Sequence, residues 1–248
     1  MNHSDIIVDL LGISITFCTT ESITRKIEYA IAKREALTIS YANKYIVLSA
    51  RENICLQNNL SKINLLYQDG TGVYWAGRLF SSLTPGNMIN ATDTNFSVLE
   101  FANKNKMKVF FFGGSKVASE CISKVIEEKY PNIYIAGVLA RVEIFTDKII
   151  DEIKKSDAEI LFVGLGTPYQ EEWLANYAGQ VDIPVQIGVG SWLEFLAGTE
   201  RRAPTVMQRI GMEWFYRMIQ NPPRLLKRYV LGIPIFLFLV IKRKILGA

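Results

Sequence analysis

Short apolar runs recur along the first two hundred residues, and each is followed by a stretch whose apolar positions return every three to four residues. Leu37-Thr38-Ile39-Ser40 reads as a strand, and a helix is predicted from Lys44 to about Asn58. Asn64-Leu65-Leu66-Tyr67 is a second strand running into Asp69-Gly70, with a helix from Val73 to Phe80. Residues 81–94, polar and carrying Pro85 and Gly86, predict a loop before a helix from about Phe96 to Asn105. Val109-Phe110-Phe111-Phe112 has no polar position and ends in Gly113-Gly114, which fits a strand buried on both faces. A helix over Lys116–Lys129, a strand over Ile133–Val138 and a helix over Asp147–Lys155 follow. Ile160–Val163 is another buried strand, running into Gly164-Leu165-Gly166-Thr167-Pro168 and a helix through Tyr177. Val185–Val189 is the last strand and ends at Gly190.

This alternation predicts an α/β fold over residues 1–198: a mostly parallel, Rossmann-like sheet flanked by helices. In such sheets ligands bind at the carboxyl ends of the strands. After Gly198 the pattern changes to helical segments rich in Arg, Trp and Tyr, interrupted by Pro222-Pro223, and residues 199–248 read as a C-terminal helical appendage. The run Val230–Ile241 is apolar apart from breaks at Gly232 and Pro234, too short to span a bilayer, which takes about 20 residues. Arg224, Lys227 and Arg228 precede it and Lys242, Arg243 and Lys244 follow it, as in segments that lie in the headgroup region. The alternative is a helix packed on a partner subunit, which leaves a homo-oligomer open.

Charge sharpens this division. The net charge of +4 is unevenly spread: the last fifty residues hold ten basic and two acidic side chains, +8, which leaves −4 on the preceding 198. A basic end on an acidic body fits an anionic partner, whether phosphate, anionic lipid or nucleic acid. With 49% hydrophobic and 21% charged residues the 248-residue chain is long and apolar enough to bury a substantial core. Cys18, Cys55 and Cys121 are scattered and odd in number, which supports neither a zinc site nor a disulfide framework and fits a reducing compartment. His3 is the only histidine, so acid–base chemistry falls to Asp or Glu. Met1–Thr20 lacks the basic start of a secretory leader. Neither GxGxxG nor GxxxxGK[ST] occurs.

Three strand ends carry candidate chemistry. Asp69-Gly70-Thr71-Gly72 places a carboxylate where a strand opens into a helix; it could act as a base or hold a sugar hydroxyl, or Asp69 could simply cap the helix. Gly164-Leu165-Gly166-Thr167-Pro168 repeats the design, with Gln170, Glu171 and Trp173 on the following helix. Gly188-Val189-Gly190 is the third, with Glu194 beyond it. Arg217, Arg224 and Arg228 are spaced so that two could share a face and hold a diphosphate, or serve only as a solvated or lipid-attracted face.

At these residues the chain resembles the WecG/TagA/CpsF glycosyltransferases. The match is strongest in GLGTPYQEEW (164–173), GVGSWLEFLAG (188–198), RAP (202–204), QRIGMEWFYR (208–217) and PPRLLKRY (222–229), with weaker similarity through FFFGG (110–114) and QDGTG (68–72) to about Leu37. The resemblance implies an inverting, metal-independent transfer of a sugar from a UDP-sugar to a polyprenyl-diphosphate-linked saccharide in cell-surface polysaccharide synthesis, at the cytoplasmic face of the bacterial inner membrane. No cofactor and no nucleic-acid partner are expected. By the same resemblance Asp69 is the general base, Asn43 lies near the sugar, Gln170 sits in the donor pocket and Glu194 near the nucleotide base, and Arg217 and Arg224 stabilise the leaving diphosphate. Tyr41, Gly70, Asp93, Gly164, Gly166, Gly190 and Arg228 complete the expected binding set. The chain departs from the family pattern at Tyr41 for threonine, Tyr169 for lysine, Asn87-Met88 in a loop that normally carries arginine, and Arg141-Val142 for an aromatic. These changes leave open a glucosyl or other hexosyl donor in place of N-acetylmannosamine. A catalytically inactive nucleotide-sugar-binding or assembly protein of the same fold is the first rival reading, and a nucleic-acid binder using the basic tail is the second.

Overall fold

The computed structural model describes residues 5–81, 88–142, 144–209 and 211–246. His3, Pro85, Gly86 and Asn87, and the side chains of Arg209, Arg224 and Lys227, lie outside the described residues.

Eight strands form one sheet. An antiparallel hairpin, β1 (Ile6–Leu10) and β2 (Ile13–Phe17), precedes α1 (Thr20–Lys33). Then come β3 (Leu37–Ala42), α2 (Lys44–Glu52), α3 (Ile54–Lys62), β4 (Leu65–Gln68), α4 (Gly70–Phe80) and α5 (Ala91–Lys104). The second half holds β5 (Lys108–Gly113), α6 (Lys116–Lys129), β6 (Tyr134–Leu139), α7 (Asp147–Lys155), β7 (Ile160–Gly164), α8 (Tyr169–Asn176), β8 (Val185–Gly188) and α9 (Trp192–Ala197). The order is β1-β2-β4-β3-β8-β7-β5-β6, and every pairing except β1–β2 is parallel. The predicted mostly parallel α/β sheet is therefore present. The hairpin at its edge and α1 add to the elements predicted.

The apolar run of β5 serves both faces, as its lack of polar positions requires. Phe110 and Phe112 join one core with Leu161, Val163 and Trp173, and Val109 and Phe111 join the other with Phe162 and Trp192. Three predicted boundaries shift for local reasons. The helix expected over Lys44–Asn58 divides at Asn53, which is extended and accepts from Leu56 N to cap α3. α5 begins at Ala91, not near Phe96, because Asn90 caps it by accepting from Thr92 N at 2.8 Å. Gly232 and Pro234 do not break the final apolar run; they stand in its first turn, where the missing proline N–H has no helical partner to lose.

The C-terminal segment consists of α10 (Thr205–Arg209), α11 (Glu213–Gln220), α12 (Pro222–Val230) and α13 (Gly232–Leu246). It folds back along the body. Phe236 and Val240 of α13 are buried with Ile46, Val47 and Ala50 of α2 and with Val73 and Ala76 of α4 in one core. Arg243 pairs with Asp9 of β1. Phe236→Ala is expected to weaken this seat by about 3–5 kcal/mol, the usual cost of a buried phenylalanine. Hydrogen exchange checks it: protection should fall in α13 before the sheet. Among the described residues no helix is long and apolar enough to cross a membrane.

Candidate active site

The tips of β3 and β4 bring the first two groups together. Asn43 directly follows β3 and caps α2, its Oδ1 accepting from Tyr45 N at 3.1 Å and Ile46 N at 3.2 Å. This leaves its amide nitrogen to donate to Asp69 Oδ2 at 3.4 Å. Asp69 stands at the N-terminus of α4 but makes no side-chain cap. Its Oδ1 accepts from the Ala91 amide at 2.9 Å instead. The carboxylate is therefore held from the side by α5 and β3 and aimed past its own helix. Burial raises the Asp69 carboxyl above its ordinary range and Glu213 adds to the rise, while the Ala91 amide, Asn43 and Arg217 oppose it. A carboxylate lifted this way is a stronger base.

Two cavities meet at Asp69. The larger, about 640 Å³, lies over the ends of β3, β7 and β8 and is lined by Tyr41, Gly166, Gly190, Ser191 and Arg141, among others. The smaller, about 140 Å³, is bounded by Gly70, Thr71, Gly72 and Lys44 on one side and Glu213, Trp214 and Tyr229 on the other. Asn43, Asp69, Thr92, Arg217 and Arg228 line both. A ligand in either cavity thus reaches the same carboxylate and the same two guanidinium groups.

Beneath the larger cavity is a buried polar network. Gln170 Oε1 accepts from the Gly190 amide at 2.6 Å, and its Nε2 donates to Ser40 Oγ at 3.3 Å and Glu171 Oε1 at 3.1 Å. Thr167 Oγ1 donates to the same Glu171 oxygen at 3.4 Å. Gln170 is fully buried, so it holds the floor from below. Gly190 adopts φ +56°, and a Cβ there would sit 2.3 Å from the Tyr41 hydroxyl, so tyrosine at 41 and glycine at 190 depend on each other. Burial pushes the Glu171 carboxyl up to about 7. A carboxyl raised in the folded state favours folding while it stays protonated; that stability is fully present below the unfolded value and is lost as pH rises through about 7. Glu171→Gln keeps the shape without the charge. Its melting temperature relative to the parent should rise by at least about 2 °C between pH 5 and pH 8, the shift that 1 kcal/mol gives a chain of this size.

The C-terminal helices supply the cations. Arg217 of α11 donates to Ser191 Oγ at 2.8 Å and lies 5.3 Å from the Phe195 ring centroid. Arg228 of α12 sits 3.9 Å above the Tyr45 ring, and its Nε is buried with no hydrogen-bond partner among the described residues. The Arg224 side chain is outside the described residues, so its expected role is not located. Arg141 stacks 5.5 Å from the Tyr169 ring at the side of the cavity, which places two of the departures from the family pattern in contact.

Of the other predicted residues, Gly164 packs against Leu193 and the Gly190 carbonyl. Glu194 accepts from Ser115 N at 2.6 Å and from Thr199 Oγ1, tying α9 to the start of α6. Asp93 faces outward and pairs with Arg202 at 2.6 Å. Neither acid lines the two cavities that meet at Asp69. Lys44, Glu213 and Trp214 were not singled out from sequence. Lys44 lies 4.6 Å from the Tyr229 ring and 5.6 Å from Trp214, and burial, with Arg228 nearby, lowers it to about 8. Its position directly after Asn43 is the one signal that could have marked it. The cysteines are all free.

The family model described as glycosyl transferase WecG/TagA/CpsF family matches residues 8–248. Proteins from Staphylococcus aureus strains MW2 and NCTC 8325 / PS 47 are 30% identical over 240 residues, 96% of this chain and 93% of theirs. Each is named N-acetylglucosaminyldiphosphoundecaprenol N-acetyl-beta-D-mannosaminyltransferase, as is a 29% identical protein of strain MRSA252. With nearly the whole length matched, the chain belongs to the WecG/TagA/CpsF family of glycosyl transferases.

Proposed function

We propose that the chain is an inverting glycosyltransferase that moves an N-acetylhexosamine, N-acetylmannosamine the first candidate, from a UDP donor to N-acetylglucosaminyl-diphosphoundecaprenol. The names of the relatives support this donor sugar and acceptor. The observation that carries the reading is the Asp69 carboxylate: half-buried, not spent on capping its helix, and shared by two cavities with Arg217 and Arg228.

The larger cavity is assigned to the sugar nucleotide and the smaller to the acceptor end. Asp69 takes the proton of the acceptor hydroxyl as its oxygen attacks the anomeric carbon. The bond from that carbon to the diphosphate oxygen breaks on the opposite side, and UDP leaves. Arg217 and Arg228 face the developing negative charge, which is the largest single contribution such a site can make. On this reading two guanidinium groups carry the charge and the reaction runs without a metal, so chelator should leave turnover unchanged.

The enzyme is proposed to work as a peripheral protein at the cytoplasmic face of the bacterial inner membrane. Leu237, Phe238, Ile241 and Ile245 leave an exposed apolar face on α13, with Lys242 and Lys244 beside it. That is the composition of a helix lying in a membrane interface.

A panel of UDP-sugars tested for thermal protection decides the donor. The true donor at a hundred times its Kd should add about 2.7 kcal/mol, which is about 5–10 °C for a chain of this size. Transfer of that sugar to the lipid acceptor in detergent micelles then tests the activity. Protection by UDP with no transfer to any lipid acceptor would favour a nucleotide-sugar-binding protein.

A further inference from the structure

A third cavity, about 400 Å³, lies away from Asp69, between the β1–β2 turn and the end of α13. Three elements distant in sequence build it. Asp9, Leu11 and Gly12 come from the hairpin, Arg51 from α2, and Leu239, Lys242, Arg243 and Leu246 from α13. The four α13 residues are spaced i, i+3, i+4 and i+7, so they form one stripe of the helix. That stripe borders the exposed face carrying Phe238, Ile241 and Ile245.

The charges are unbalanced. Asp9 Oδ1 already accepts from the Gly12 amide at 3.0 Å and pairs with Arg243. Arg51 and Lys242 make no ion pair among the described residues. The cavity therefore carries three cations against one carboxylate that is already engaged. Its remaining walls are Gly12 and three leucines, Leu11, Leu239 and Leu246. A pocket that sets two uncommitted cations among aliphatic walls matches a phospholipid: a phosphodiester anion joined to hydrocarbon.

We propose that this cavity binds the headgroup of an acidic phospholipid, its phosphate between Arg51 and Lys242 and its first acyl methylenes along Leu239 and Leu246. The proposal rests on the membrane-docking reading above and deepens it. The apolar face of α13 supplies attachment, and the headgroup cavity supplies choice of lipid. It also makes the N-terminal hairpin part of the membrane-facing surface, and the Asp9–Arg243 pair fixes the hairpin to α13.

The experiment uses the full chain with vesicles of phosphatidylcholine alone or with one third phosphatidylglycerol. A basic side chain near an anionic surface is worth about fivefold in binding. Arg51→Gln/Lys242→Gln should thus lose about 25-fold of the preference for phosphatidylglycerol, whereas Lys124→Gln/Lys129→Gln on α6 should lose less than about fivefold. Short-chain phosphatidylglycerol below its micelle concentration should shift the Gly12 amide resonance, and inorganic phosphate at the same concentration should not. Neither pair lines the Asp69 cavities, so transfer to a water-soluble acceptor analogue should be unchanged in both. Equal losses in the two double variants, or an equal Gly12 shift with inorganic phosphate, would overturn the headgroup site. Undiminished preference in Arg51→Gln/Lys242→Gln would also overturn it while leaving the apolar face of α13 intact as a membrane anchor. A parent chain that binds neither vesicle overturns both readings.

Discussion

Asp69→Asn is expected to lower kcat at least about a hundredfold, the lower end of what a positioned general base contributes, with UDP binding retained. The reason lies in the two sides of the carboxylate. Oδ1 is occupied by the Ala91 amide, and an asparagine oxygen can accept that bond unchanged. Oδ2 meets only the Asn43 amide at a long 3.4 Å, and this is the oxygen left to take a proton. In the variant a second NH₂ would face Asn43, so Asp69→Ala serves as a further control for local disorder. The pH dependence provides an independent check. An aspartate base must be ionised to work, and burial lifts this one above its usual range. The acid limb of kcat/KM should therefore fall at a higher pH than the 3.9 or so of a free aspartate, and the limb should vanish in Asp69→Asn. Near-normal turnover in the variant would remove Asp69 from the base role and with it the proposed mechanism.

Arg217→Ala carries the next largest effect, a fall in kcat of about 10²–10³, as for loss of one preorganised donor to a developing charge. Arg217 is held before substrate arrives: Ser191 accepts its hydrogen bond at 2.8 Å and Phe195 lies under its plane. Arg217→Lys should recover part of the loss by charge alone, since an ammonium cannot reproduce the planar fork on a diphosphate. Ser191→Ala should cost far less than Arg217→Ala because it removes the support and leaves the cation. These kinetics separate the two sequence readings of the arginines. If Arg217→Ala weakened only binding to anionic vesicles and left transfer to a soluble acceptor intact, the arginine would be a lipid contact and not part of the site.

The location of the candidate site was legible because its residues lie at strand tips. Runs such as Val109–Phe112 and Ile160–Val163 have no polar position, so they can only be central strands, and glycines at their ends mark where backbone approaches a ligand. What remained hidden depends on where side-chain atoms point. Asp69 as a helix cap and Asp69 as a working carboxylate have the same sequence; only the Ala91 amide, 22 residues away, separates them. Gln170 and Glu194 read as ligand-facing by resemblance, yet each is engaged with backbone from another strand tip, Gly190 and Ser115 respectively. The hairpin of β1 and β2 went unread although its apolar alternation spans Ile6–Phe17, with positive φ at Leu11 and Gly12 making the turn.

By itself the sequence determined the sheet class, the glycine-marked turns and a tail whose charge opposes that of the body, because hydrophobic period, turn chemistry and net charge are local or additive properties. Only the tertiary structure decided that α11 and α12 fold back until Arg217 and Arg228 face Asp69, and that α13 spends Phe236 and Val240 on the core while keeping a second apolar face for solvent or membrane. The physical reason is that one helix can satisfy two partners at once, and burial against α2 and α4 rather than any local preference selects which stripe turns inward.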